Sequence, residues 1–206
     1  MERITDWAAL WRQLVEVRGA RHAQRPAGDQ DPWRERARGF HRRVAERWAR
    51  PDSSRDLMLS QIDGDTTVLD IGAGTGILAL TAALLGGRDI LAFDNDPDCG
   101  PAMAEFIDLN AHLLDGRTPF RHFVGLLDDP QVRGPYQVLL ANILLETIQE
   151  LLPGMAEVAA PGGRLIASGI LAERQDEALV SLVLGGFRPL RVVREGEWIA
   201  ILAERT

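Results

Sequence analysis

The chain has 206 residues, enough for one domain with a full core. Hydrophobic residues make up 46% of it and charged residues 26%, and no apolar run approaches the ~20 residues a membrane span needs, which excludes a spanning helix. The single cysteine, Cys99, excludes an internal disulfide framework and a cysteine cluster for zinc, and His22, His41, His112 and His122 lack ligand-like spacing, so no metal site is expected.

The N-terminus shows no signal-peptide pattern, and a cytoplasmic location is the expectation. Charge is unevenly spread. Residues 1–55 carry 13 Arg against 8 acidic residues, whereas 56–206 carry 10 Arg against 22 acidic residues, and the chain has no lysine. Arginines on amphipathic helices make a solvated face. Contact with an acidic partner such as RNA is the alternative reading of the basic N-terminal part.

In chain order, Ile4, Trp7, Ala8, Trp11, Leu14 and Val15 fall on one stripe and predict a helix over 4–18. Residues 19–31 form a polar linker. A second helix starts at Pro32, a good first-turn residue, with Trp33, Ala37, Phe40, Val44 and Trp48 on its stripe. Ser53, followed by Asp56, predicts an N-cap before Leu57, Met58 and Ile62.

From residue 66 short apolar runs alternate with helical stretches. Strands are predicted at 66–71, 89–94, 120–124, 136–141 and 163–169, with helices at 75–86, 101–114, 144–159 and 172–184. The chain closes on two strands joined by a tight turn at Glu195–Gly196, hence an antiparallel pair. Alternating strands and helices imply an α/β fold, a parallel sheet covered on both faces. The expected division is a helical extension over 1–62 and a cofactor-binding domain over 63–206.

The stretch VLDIGAGTG, 68–76, ends the first strand in an acid followed by glycines at alternate positions. Ligands of doubly wound sheets bind outside the carboxyl ends of the strands, and glycine lets a ligand lie against bare main chain. Dinucleotide enzymes use G-x-G-x-x-G, but here the spacing is D-x-G-x-G-x-G, and Asp70 would repel a pyrophosphate. An acid at that position suits a ligand bearing an ammonium group. S-Adenosylmethionine has one, together with a ribose whose two hydroxyls Asp94, ending the second strand, is placed to accept. The candidate cofactor residues on these motifs are Asp70, Gly72, Ala73, Gly74, Thr75, Gly76, Asp94 and Asn95; Leu126, Leu127 and Asn142 join them through a family resemblance.

With those motifs in place the sequence resembles a class I methyltransferase, which implies a Rossmann-like seven-stranded sheet whose last hairpin supplies one antiparallel strand. LDIGAGTGILAL, FDNDP, LLANILLETIQELLP, PGGRLIASGIL and GEWIAIL stand in order, and together they resemble the bacterial ribosomal protein L-eleven methyltransferases, the PrmA family, over about residues 66–204. The resemblance implies methyl transfer to amino groups of a protein. Two departures accompany it. The family's N-terminal recognition domain is not visible; residues 1–60 look instead like the helical flank of small free-standing methyltransferases. Where the family usually carries GDLL after the third strand, this chain has GLLDD, with Leu126 in the acid's slot; Asp128, or main chain near Leu126 and Leu127, would then meet the adenine amino group.

Asn142 ends the fourth strand, and its side-chain oxygen could orient a target amine; the plainer reading is a polar strand end that caps the next helix. Ile143 and Leu144 would shape the neighbouring wall. Trp33, Arg36 and Phe40 could form a lid, with Arg36 on the cofactor carboxylate, although a Trp and Phe at this spacing more often pack a core. Trp198 is expected to pack in the last hairpin. Cys99 is not expected to be reactive, and His112 and His122 are expected at the surface or a helix end. The leading expectation is a methyltransferase acting on a protein amine. A small-molecule N- or O-methyltransferase is the alternative, and a cofactor-binding module without catalysis a third. Holding an extruded base would call for a Pro pair after Asn142, where this chain has Ile143 and Leu144.

Overall fold

A computed structural model describes Leu57, residues 60–114 and residues 120–206, which belong to one compact unit spanning 54–206. The predicted helices over 4–18 and from Pro32, and with them Trp33, Arg36 and Phe40, lie outside the described residues.

Seven strands form one sheet: β1 (Thr67–Ile71), β2 (Asp89–Asp94), β3 (Phe120–Val124), β4 (Tyr136–Asn142), β5 (Ala159–Leu171), β6 (Phe187–Glu195) and β7 (Trp198–Arg205), in the order β3-β2-β1-β4-β5-β7-β6. The first five run parallel; β7 pairs antiparallel with both β5 and β6. Four α-helices connect them among the described residues: α1 (Ile77–Leu84), α2 (Cys99–Asn110), α3 (Leu145–Val158) and α4 (Gln175–Leu184). The strand order reverses between β1 and β4, where a doubly wound sheet opens its crevice.

The apolar runs explain the layering. Successive residues of a strand face opposite sides, and β4 shows this plainly: Leu139 and Ala141 join the core beneath α3 and α4, while Val138 and Leu140 join the core beneath α1 and α2. Both faces are covered at the centre of the sheet, so β1 and β2 are near-continuous buried runs without polar alternation. Leu57 and Ile62, assigned by the sequence to the extension, pack into the α1–α2 side of this core.

Several predicted boundaries move: α1, expected over 75–86, spans Ile77–Leu84, and α4, expected from 172, begins at Gln175. Helix α2 begins at Cys99, two residues before Pro101, and ends in a short 3-10 turn at Ala111–Leu113. Strand β5 was expected from 163 but begins at Ala159, directly after α3. Its register slips between Tyr136↔Ala159 and Val138↔Arg164, so 160–163 bulge out. Gly162 takes φ +69° there, and a Cβ on Gly163 would lie 2.8 Å from the Ala160 carbonyl oxygen.

Candidate active site

The turn after β1 builds the first half of the site. Gly72, Gly74 and Gly76 have φ of 66°, 56° and 79°, a region that side chains with a Cβ rarely adopt. A Cβ on Gly72 would run into the Ile143 side chain, and one on Gly76 would lie 2.8 Å from Met103 Cγ, whereas one on Gly74 would meet nothing within 4 Å. Packing therefore fixes the outer two glycines, and the middle one leaves bare main chain against open space. The turn is pinned to β2 by the Ala73 N–H, which donates to the Phe93 carbonyl at 3.0 Å, and closed by the Gly76 N–H on the Ala73 carbonyl at 2.8 Å. Thr75, half-buried, completes it.

Two acids flank the turn. Asp70 is fully buried; its Oδ2 accepts the Ala79 N–H at 2.9 Å in the first turn of α1. Its Oδ1 has no partner among the described residues. Burial pushes this carboxyl up to about 7, the Ala79 N–H pulls the other way, and the charge of Asp94 adds to the rise. Asp94, at the end of β2 and 8% exposed, accepts the Gly74 N–H on Oδ2 at 2.8 Å and the Asp96 N–H on Oδ1 at 2.9 Å. The D-x-G-x-G-x-G spacing did not reveal these bonds: Asp94 shapes the glycine turn while each oxygen keeps lone-pair capacity for another donor.

A cradle of bare backbone between an unspent buried carboxylate oxygen and a strand-end acid fits a nucleoside that carries an ammonium group. Asn95 is exposed just beyond Asp94, and Leu126 is 58% exposed after β3. Leu127 was expected to act through its main chain. Its side chain is buried in the core, and a Cβ on Gly154 of α3 would lie 2.8 Å from Leu127 Cδ2, so only its main chain is free to face a ligand. Burial, then Asp94, Asp96 and Asp98 nearby, push the Cys99 thiol up. His112 is exposed in the 3-10 turn and His122 half-buried in β3.

Asn142 joins the two halves. It ends β4 opposite Ser168 and is exposed. The next residue, Ile143, is the one that occupies the space beside Gly72, which couples the strand end to the glycine turn. On the other side, β5 is irregular between Ala167 and Ile170. Gly169 takes φ +79° there, and a Cβ on it would lie 2.8 Å from the Ile143 carbonyl oxygen and 2.9 Å from Asn142 Oδ1. Bulges of this kind re-aim a strand beside functional sites.

Beyond Asn142 lies an open cavity of about 330 Å³ at the ends of β5, β6 and β7. Ser168 and Gly169 line it from β5, Val193 and Glu195 from β6, and Trp198, Ile199 and Ala200 from β7. Trp198, expected to pack in the hairpin, is 41% exposed and forms part of this wall. Ser168 and Glu195 were not singled out from sequence; the strand-end Ser-Gly pair and the acid before the Gly196 turn are the signals that precede them.

Comparison with known proteins follows the same outline. The family model for Ribosomal protein L11 methyltransferase (PrmA) matches residues 56–206. A ribosomal protein L11 methyltransferase of Heliobacterium modesticaldum is 35% identical, over 70% of this chain and 44% of that protein. One from Geobacter sulfurreducens is 33% identical, over 97% of this chain and 66% of its own length. The chain thus spans between 44% and 66% of these two relatives. Among solved structures, a ribosomal protein L11 methylase from Lactobacillus delbrueckii subsp. bulgaricus superposes with TM-score 0.66 at 27% identity, covering 82% of this chain and 81% of that one. A SAM-dependent methyltransferase from Aquifex aeolicus shares the fold at TM-score 0.62 and 16% identity, covering 75% of this chain and 90% of that one.

Proposed function

The chain belongs to the ribosomal protein L11 methyltransferase family, and from that premise we propose that it methylates an amino nitrogen of a protein, with S-adenosylmethionine as donor and ribosomal protein L11 as the first acceptor to test. The observation that carries this reading is the contact of Ile143 with Gly72, which ties the glycine turn to the strand end bearing Asn142.

S-Adenosylmethionine, when bound, supplies a methyl group already activated by its sulfonium. The chain's own part is to hold, orient and exclude water. Bare main chain at Gly72–Gly76 gives the donor a surface to lie on. Asp94 accepts from ribose hydroxyls with the lone pairs that Gly74 and Asp96 leave free. Asp70 places negative charge beneath the turn, complementary to an ammonium. Asn142 accepts an N–H of the target amine, so that the nitrogen lone pair points at the donor's side of the site. Alignment of this kind lowers a barrier by about 7–11 kcal/mol at its best, and no covalent intermediate on the enzyme is required.

Incubation of the full chain with methyl-labelled S-adenosylmethionine and purified ribosomal protein L11 tests the proposal. Label in acid-stable N-methyl amino acids of the protein is expected. Label confined to low-mass amines or alcohols would replace the protein acceptor by a small molecule, and binding without transfer would leave only a cofactor-binding module.

A further inference from the structure

The cavity beyond Asn142 has a chemistry of its own. Glu195 and Trp198 are paired residues of the antiparallel β6–β7 ladder, so a carboxylate and an indole stand side by side on one wall. Val193, Ile199 and Ala200 make the rest of that wall apolar. Neither Asn142, Ser168, Glu195 nor Trp198 makes a side-chain hydrogen bond or ion pair with the described residues. The nearest cation in sequence, Arg194, is turned to the Gly196 carbonyl, to which its Nε donates at 3.0 Å. No arginine lines the cavity among the described residues. A pocket with one unspent carboxylate, one aromatic face and an apolar stem takes an alkylammonium: the head pairs with the carboxylate and the ring, and the methylenes lie on the aliphatic wall.

Building on the proposed function, we propose that this cavity seats the acceptor as a positively charged amine, a lysine side chain or a chain N-terminus, and that Glu195 selects for that charge. Glu195 acts in binding. Transfer itself needs the neutral amine, and the proton leaves to solvent before the nitrogen turns to Asn142. The residue therefore governs which acceptor enters and how tightly, more than how fast a bound one reacts.

Calorimetric titration of the full chain, in the presence of S-adenosylhomocysteine, tests this with two probes. One is a short synthetic peptide with a free N-terminus and one lysine; the other is the same peptide acetylated at both amines. The wild type is expected to bind the free-amine peptide about 10- to 100-fold more tightly, the range for a charge-assisted pair. Glu195→Gln, which keeps the shape, should abolish most of that preference and leave S-adenosylhomocysteine affinity unchanged. Glu195→Asp should restore part of it, and Trp198→Leu should weaken the free-amine peptide more than the acetylated one. Equal binding of the two peptides by the wild type, or an undiminished preference in Glu195→Gln, would overturn the proposal. Failure of the protein to bind S-adenosylhomocysteine at all would count against the proposed function instead, whatever the peptides do.

Discussion

Asp70 is an acid with no exposure to water. Burial raises its carboxyl to about 7 while one oxygen stays unpaired. An acid whose folded pKa is raised binds protons more tightly when folded than unfolded. Its contribution to stability is therefore full below about 4 and declines as pH rises toward 7. Asp70→Asn removes that decline and keeps an acceptor for the Ala79 N–H. Urea unfolding of wild type and variant across pH 4–8 should show the variant gaining on the wild type as pH rises; parallel curves would contradict the assignment. A bound ammonium favours the ionised acid, so donor binding should release protons between about pH 5 and 7. Titrations in buffers of different ionisation enthalpy read that release directly, and Asp70→Asn should lack it. Asp94 holds the Gly74 N–H and is proposed to accept ribose hydroxyls as well, and its replacement should expose both. Asp94→Ala is expected to weaken S-adenosylmethionine binding about 10- to 100-fold, since ribose loses its acceptor and the Gly74 N–H loses its anchor; unchanged affinity would contradict the ribose role. None of this burial was legible in the sequence. The D-x-G-x-G-x-G spacing located the ligand turn, yet it did not show that both acids also hold main-chain N–H groups. Those bonds depend on the turn folding back over β2.

Two glycines mark the element scale, and they should respond differently to the same substitution. Gly154 sits inside α3 after Pro153, where the Pro-Gly pair reads locally as a break; the helix continues because Pro153 is exposed and Leu127 packs on the bare Cα. Gly154→Ala gains about 1 kcal/mol of helix propensity and must move only the tip of the Leu127 side chain. Stability by urea unfolding should change by no more than about 1 kcal/mol. Gly169 has a positive φ, and the atoms a Cβ would meet include the Ile143 carbonyl oxygen, which cannot rotate away. Gly169→Ala should cost about 1–3 kcal/mol, a melting shift of about 2–4 °C per kcal/mol in a chain of this size. It should also depress methyl transfer while sparing donor affinity, because it displaces Asn142. Comparable losses in the two variants would contradict the bulge as a positioning element. Element type followed from periodicity, and the seven-stranded sheet with one antiparallel strand from the family resemblance. The two β5 irregularities did not, since a bulge is set by the neighbouring strand's register, which no local pattern records. Trp198 departs from its expected packing role for the same reason: tertiary packing left the tryptophan 41% exposed at the cavity mouth.

At the scale of the molecule, the sheet order brings the proposed donor half and the proposed acceptor half to one edge, with Asn142 between them. The donor half was readable from the glycine turn, the two acids and the family resemblance. The acceptor half was only partly so, because Ser168, Glu195 and Trp198 come from three strands and meet through the antiparallel insertion of β7. Asn142 is the residue on which the two halves depend. The most direct measurement compares wild type with Asn142→Ala for two quantities in the same preparations: the rate of label transfer from S-adenosylmethionine to ribosomal protein L11, and the dissociation constant of S-adenosylmethionine. The account predicts transfer lowered at least about 100-fold, in keeping with loss of an alignment contact, and a dissociation constant within about twofold of wild type. Full transfer by Asn142→Ala, or loss of donor binding equal to the loss of transfer, would contradict it.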